Sequence, residues 1–458
     1  MKTWEDLKEN GNIKIEFIRS AIKDYQTSPM YQEAKIGYDY FRKRNTTISM
    51  YQKLLYTMSG EAVPDNYSAN YKFCNAFFTI FVTQENSYQL SNGVTFNNEA
   101  TKKKIGGADF DSVLMDAGED ALWGGVAYGF FNLDHVEVFK ATEFVPLFGE
   151  EDGALHAGIR WWQIAPDKPL RATLYEEDGY TEYIWRKGED GKILKEKTTY
   201  KQKVVQSIAD GVEIYNGENY PSFPIIPLWG NKTHQSELIG LREKIDGYDL
   251  IQSGFANDLD DASQIYWTIT NTGGMDDVDL AKFIERMKVV KAAVVDDNGS
   301  TAEAHTLDVP YAARQAGLQD LRDSLYRDAM ALDTDKISSG NVTATAINAA
   351  YENLDLKCDG FEYCIVNFIK GILALVGIDD APTFKRTKMV NMPELTQMVL
   401  SAAEYLDDET ILNLLPFLNI DQVNSIMEKR EKEESDRFED SEDDVDGQGE
   451  DENGSEAE

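Results

Sequence analysis

The sequence predicts an α+β chain with helices toward both ends and strands in the middle. Three observations lead there. Apolar residues recur three and four apart in residues 14–58, in 236–263 and again from 311 onward. Between about 135 and 228 the period shortens to that of strands, punctuated by turn sequences such as EEDG and GEDGK. And 42% of the 458 residues are hydrophobic, enough to bury sizeable cores in two or three domains.

Taken in order, IKIEFIRSAI and YQEAKIGYDYF carry the helical spacing of residues 14–58. YKFCNAFFTIFVTQENSYQL (71–90) and FDSVLMDAGEDALWGGVAYGFFNL (110–133) read as helices that run out into extended chain. In the second, Gly124 and Gly125 end the helix and VAYGFFNL continues as a strand. VEVFKATEFVPLF, LHAGIRWWQI, LRATLYE, TEYIWRKG and KILKEKTTYKQKVV then form an antiparallel β region, left through the proline-marked YPSFPIIPLWGN.

Helix resumes at Ser236, where Leu238, Leu241, Ile245, Tyr248, Gln252, Phe255 and Leu259 make a seam of alternating spacing with one polar member. A segment of mixed character follows: IYWTI, a helix in DDVDLAKFIERMK, VVKAAVV, the turn DDNGS and a stop at Pro310. It reads as a small α/β insertion before the helix at 311–332, which carries Leu318, Leu321, Leu325 and Leu332 on one side. KISSGNVTATAIN (336–348) breaks the pattern: Ser338 and Ser339 offer capping oxygens, Gly340-Asn341 permits a reversal, and Thr343 or Thr345 starts the next helix.

Beyond it, Ile347, Tyr351, Leu354, Cys358, Phe361, Ile365, Phe368, Ile372 and Leu375 sustain a heptad. The helix they define is roughly 50 Å long at 1.5 Å per residue, and its seam suits either an ordinary core or self-association. Gly360 and Gly371 inside it each cost about 1 kcal/mol against alanine, which points to a bend or to close packing. Shorter helices follow around PELTQMVLSAAEYL, DDETILNLLPFL and IDQVNSIMEKREKEE. The final stretch, 431–458, has 15 acids and 2 bases, almost no apolar residues and the composition of a disordered tail.

The formal charge of −36 argues against wrapping nucleic acid or docking on an anionic membrane. The tail contributes −13, so the remainder is still −23. Cys74, Cys358 and Cys364 are spaced for neither a disulfide framework nor a metal knuckle and read as reduced, buried thiols. The start lacks an apolar h-region, and CIVNFIKGILALVGI is too short and too interrupted to span a bilayer, so a soluble, cytoplasmic product is expected. His135, His156, His234 and His305 are scattered and show no ligand spacing. There is no G-x-x-x-x-G-K-[ST], G-x-S-x-G or H-E-x-x-H, and acid pairs such as Asp260-Asp261 and Asp276-Asp277 read as solvated faces or helix N-termini. No metal, cofactor or catalysis is expected.

The order of these parts resembles the portal proteins of long-tailed bacteriophages. FPIIPLWGNKTHQSELIGLREKIDGYDLIQSGFANDLDD is similar to the family's entry to its first stem helix, with Asp246, Tyr248, Ser253, Asn257 and Asp258 in the pattern positions. WGGVAYGFFNLD (123–134) resembles the family's G-x-A-Y strand and DDETILNLLPFL its crown helix. KISSGNVTATAIN resembles the S-G-x-A-[LI] entry to the long helix, departing from it at Val342-Thr343, with Ala346-Ile347 in the A-L place.

The resemblance implies a portal fold: wing 1–235, stem helices 236–263 and 311–332 flanking a clip at 264–310, tunnel loop 333–343, long helix 343–376, crown 377–430 and acidic tail 431–458. It implies a homo-oligomeric ring, usually of twelve copies, at one capsid vertex of the virion, assembled in the host cytoplasm, with double-stranded DNA in transit. Terminase, head-completion or adaptor proteins, and major capsid and scaffolding proteins are the implied partners. The DNA-facing loop is then Lys336, Ile337, Ser338, Ser339, Gly340, Asn341, Val342 and Thr343. Glu243, Asp246, Asp249 and Asp258 become channel acids, and Asp276, Asp277, Lys282 and Arg286 the clip's partner surface. A different structural class, a non-catalytic helical scaffold or adaptor assembling by a coiled coil, is the alternative.

Overall fold

The computed structural model describes residues 1–10, 14–56, 60–66, 68–202, 216–262, 266–270, 282, 301–305, 311–338, 344–388, 392–403, 405–415, 423, 425–430 and 432. The chain forms two compact units. One holds 1–332 and 353–387, the other 333–352 and 388–458.

The first unit opens with α1 (Trp4–Glu9), α2 (Lys14–Gln26), α3 (Pro29–Phe41) and α4 (Thr46–Met50). Thr3 and Asp6 close a capping box on α1, and α3 starts at a Ser28 cap followed by proline, so local chemistry sets both boundaries. β1 (Leu54–Tyr56) pairs with β2 (Ala62–Pro64). α5 (Phe77–Leu90), β3 (Val94–Phe96), α6 (Glu99–Lys104) and α7 (Asp109–Gly124) follow, and Gly125, in the left-handed region at φ 81°, turns α7 into β4 (Val126–Asn132).

β5 (His135–Lys140), β6 (Phe144–Phe148), β7 (Leu155–Trp162), β8 (Leu170–Glu176), β9 (Gly179–Trp185) and β10 (Lys192–Thr198) come next. Five of them make an antiparallel meander in the order β10-β9-β8-β7-β6. One stripe of α2, comprising Phe17, Ile18, Ala21, Ile22 and Tyr25, shares a core with Val145, Ile159, Trp161 and Leu174 of that sheet. The Tyr25 hydroxyl donates to the Ala141 carbonyl at 2.9 Å, so its one polar atom is satisfied inside the core. β11 (Lys201–Gln202) pairs with β12 (Asn216–Glu218), and β13 (Ile225–Trp229) completes a second sheet in the order β13-β4-β5.

α8 (Arg242–Ala262) and α9 (Tyr311–Asp328) lie antiparallel: Lys244 reaches Ser324 and Asp328, Phe255 packs on Tyr311, and Asp258 pairs with Arg314. Between them β14 (Tyr266–Thr270) pairs with β15 (Thr301–His305) in register Tyr266↔His305 to Thr270↔Thr301. Both helices are shorter than their periodicity suggests. Gly240 sits at φ 83° and holds Ser236–Leu241 in turns, so α8 starts at Arg242; Met330 at φ 54° ends the second helix before Leu332. β15 is hard to read as a strand in the sequence, because the apolar positions of TAEAH are only alanines and offer no β-branched or aromatic bulk.

α10 (Thr334–Ser338) and the start of α11 (Ala344–Leu375) belong to the second unit, and α11 continues in the first from Asn353. The heptad positions from Ile347 to Leu375 are all buried, so the seam is covered within one chain. α11 crosses the β13-β4-β5 sheet closely enough that a Cβ on Gly371 would stand 2.8 Å from Ile226 Cγ2. Gly371 therefore marks close packing, whereas a Cβ at Gly360 would meet open space. β16 (Pro382–Phe384) returns to pair with β3, which keeps residues 377–387, expected as the start of a separate crown, in the first unit.

The second unit also contains α12 (Met392–Ser401), α13 (Asp408–Leu414) and helical residues 425–430. Asp407 caps α13 by accepting from the Thr410 amide, and Val399, Leu412 and Val423 are buried. The acidic tail beyond Lys432 lies outside the described residues.

Candidate functional site

The pair α8 and α9 with the insertion at one end is where the family resemblance leads one to expect a channel wall. On α8 the buried stripe is not the apolar seam. Continuing from Leu241 just before the helix, it runs through Ile245, Asp249, Ser253 and Asn257, four apart, while Tyr248, Gln252 and Phe255 are half-buried and Leu259 is exposed.

The reason is an extended strap, residues 71–75, laid along the helix. The Asn75 amide donates to Asp249 Oδ1 at 3.1 Å, the Phe73 amide to Ser253 Oγ at 2.9 Å and the Tyr71 amide to Asn257 Oδ1 at 2.7 Å. Four helical residues rise about 6 Å and two extended residues about 6.6 Å, so a polar side chain every fourth residue meets every second amide of the strap. The strap's backbone donors thus find partners without a neighbouring strand.

Asp249 is the hub. It is fully buried and also accepts from Asn75 Nδ2 at 2.6 Å and Asn45 Nδ2 at 2.8 Å. Burial pushes its pKa up, and the Asn75 and Asn45 hydrogen bonds pull it back. Asn45 in turn caps α4 by accepting from the Ile48 amide, and Tyr40 Oη lies 2.5 Å from Asp246 Oδ1. One network therefore joins α3, α4, the strap and α8.

This arrangement separates the four expected channel acids. Asp249 is corrected: engaged by three donors inside the protomer, it has no surface to offer a channel. Asp246 is half-buried against Tyr40 and 4.0 Å from Arg242 Nε, and Asp258 is paired with Arg314 of α9. Glu243 is exposed, as are Asp260 on α8 and Asp320 on α9.

Of the expected loop, Lys336, Ile337 and Ser338 lie in the short helix α10 instead of irregular chain, with Lys336 exposed. Ser339, Gly340, Asn341, Val342 and Thr343 lie outside the described residues, as do Asp276, Asp277 and Arg286 of the insertion. Lys282 is helical and exposed.

Two features are absent from the expectations drawn from sequence. A buried ionic cluster lies beside the start of α8, where Lys357 Nζ of α11 lies 2.8 Å from Glu85 Oε2 of α5 and 2.9 Å from Glu237 Oε2, just before α8. Burial pushes Glu85 up to about 7, against the pull of Lys357, while for Lys357 the two carboxylates outweigh burial and raise its pKa. A signal exists: Lys357 is three residues past Leu354 and four before Phe361, hence on the buried arc. Arg386 adds a second brace to α11 through Asp359 at 2.7 Å and Glu362 at 2.6 Å, and its Nε donates to Gln89 Oε1 of α5 at 2.6 Å.

Two expectations about reactive side chains also change. Cys74, expected buried, is exposed on the strap, while Cys358 and Cys364 are buried and burial pushes the Cys358 thiol up to about 12. His156 does meet carboxylates, Asp152 and Glu177, at 2.8 Å each, because a turn at 149–154 brings Asp152 back beside it. Among the described residues no group of His, Cys, Asp or Glu is arranged to hold a metal, and no helix is long and apolar enough to cross a membrane.

Comparison with known proteins bears on the same regions. The chain is 23% identical over 445 residues to the portal protein of Bacillus phage SPP1, covering 90% of this chain and 86% of that one. It is 28% identical over 229 residues to the portal protein of Clostridium phage phiCD119, covering 46% of this chain and about half, 51%, of that relative's length. Similar solved structures include the neck of an empty GTA particle computed with C6 symmetry, at 11% identity, 74% and 90% coverage of the two chains and a TM-score of 0.42. The neck of a native GTA particle computed with C12 symmetry gives 10% identity, 75% and 90% coverage and a TM-score of 0.41. The model of the family "Phage portal protein, SPP1 Gp6-like" matches residues 21–445, so the chain belongs to that portal protein family.

Proposed function

We propose that this chain is the protomer of a closed ring at one capsid vertex, with a central channel through which double-stranded DNA is packaged and later leaves. The observation that carries this reading is the agreement with a portal protein along 90% of the chain, far more than any one of its parts. In this reading residues 1–235 form the wing, α8 and α9 the stem, 264–310 the clip, 333–343 the tunnel loop and 377–430 the crown. The clip, with Asp276, Asp277, Lys282 and Arg286, meets terminase and later the head-completion or adaptor proteins; capsid and scaffolding proteins meet the outer body. The chain guides DNA and supplies no catalysis of its own.

The coiled-coil scaffold has less support, because its heptad seam is already covered inside one chain.

An acidic stem suits a conduit. Duplex DNA carries one charge per roughly 1.7 Å, and a basic wall would hold it by releasing counterions, whereas exposed carboxylates leave it free to slide. The assembled protein is accordingly expected to retain duplex DNA weakly. Glu243→Lys combined with Asp320→Lys should tighten retention and steepen its salt dependence by about 0.9 in log–log slope for each further phosphate neutralised. Anisotropy of labelled duplex DNA between about 50 and 200 mM salt reads this out. Tight, steeply salt-dependent binding by the unaltered protein would contradict the sliding wall.

A further inference from the structure

Away from the stem, an open cavity of about 560 Å³ lies between α2 and the corner where β7 passes the start of β6. Arg19 and Lys23 of α2 stand on one side, Trp161 and Trp162 at the end of β7 on the other, with Leu170 beside them. Trp162 is 36% exposed and Ile164, two residues on, is 88% exposed. The Arg160 guanidinium stacks 5.4 Å from the Trp162 ring and holds it in place.

The charge here runs against the composition. The chain has 45 basic and 81 acidic residues, and cations elsewhere in the first unit, such as Lys14, Lys102 and Arg314, have carboxylate partners. Arg19 and Lys23 are exposed and have none among the described residues. The only acid in the cavity wall, among the described residues, is Glu143.

We propose that this groove is a docking surface for a short acidic segment of another protein, extended and carrying one large apolar side chain. The apolar side chain packs on Trp162 and Leu170, and carboxylates beside it pair with Arg19 and Lys23. A polynucleotide fits worse: its charges continue at every residue past the groove onto an acidic surface, whereas a peptide can confine two or three carboxylates to the cationic rim. A lone small anion would leave the apolar wall of Trp162 and Leu170 uncovered. The inference stands on this surface alone and does not require a ring.

The test uses the full chain and a fluorescein-labelled peptide of glutamates flanking one central phenylalanine, read by anisotropy at near-physiological salt. Saturable binding is expected, weakened about tenfold or more in the Arg19→Glu/Lys23→Glu variant and in Trp162→Ala, with melting midpoint and circular dichroism unchanged. The proposal is overturned if the peptide does not bind, if the variants bind it as well as the unaltered chain, or if a lysine-for-glutamate peptide or an oligothymidylate binds more tightly.

Discussion

Lys357→Met is expected to lower the stability of the first unit by about 3–5 kcal/mol at about pH 8, and by clearly less at about pH 5. Lys357 bridges Glu85 and Glu237, and its loss strands two carboxylates, one of them, Glu85, with only 2% of its side chain exposed. The pH dependence follows from the direction of the Glu85 shift. A carboxyl whose folded pKa is raised from 4.5 to about 7 favours the fold while protonated, and that contribution is lost as pH rises across the same interval. Removing Lys357 removes the attraction that holds Glu85 down, so the damage grows where Glu85 must ionise. Glu85→Gln is the companion variant: it leaves Lys357 paired with Glu237 alone and should flatten the stability profile between pH 4.5 and about 7. Denaturation midpoints across this pH range decide the matter; Lys357→Met with the midpoint of the unaltered chain at both ends would contradict a buried cluster.

Asp249→Ala should cost about 2–4 kcal/mol, because the Asn75 amide, Asn75 Nδ2 and Asn45 Nδ2 lose one shared acceptor in a buried place. Asp249→Asn keeps one acceptor oxygen and should cost less. Hydrogen exchange supplies the specific readout, since the strap amides of Tyr71, Phe73 and Asn75 depend on the ladder of Asn257, Ser253 and Asp249. Faster exchange at Asn75 is expected first. Unchanged stability and exchange in Asp249→Ala would mean that the aspartate is a surface acid after all.

Local structure is legible in the sequence where one periodicity or one cap decides it. The β meander of residues 144–198, the glycine-ended helix before Val126 and the two helices around the insertion all follow from side-chain period and turn residues. Partners distant in sequence set the limits. Spacing alone makes Leu241 to Leu259 a seam, yet the strap that covers α8 comes from residues 71–75 and prefers its polar positions. Likewise Thr95 meets Thr383 across β3 and β16 at a separation of 288 residues, which no window on the sequence spans. For the same reason spacing cannot assign an acid on a helix to a channel or to a core: Asp249 and Glu243 look alike in sequence, and only the covering chain tells them apart.

Ring formation is the claim on which the functional account rests. Native mass measurement of the purified chain, paired with class averages from electron microscopy, tests it directly. The account requires a closed assembly of identical 51.7 kDa copies around a central hole, usually twelve by family resemblance. A single-copy or two-copy mass over a wide concentration range, with no ring in the averages, would contradict it.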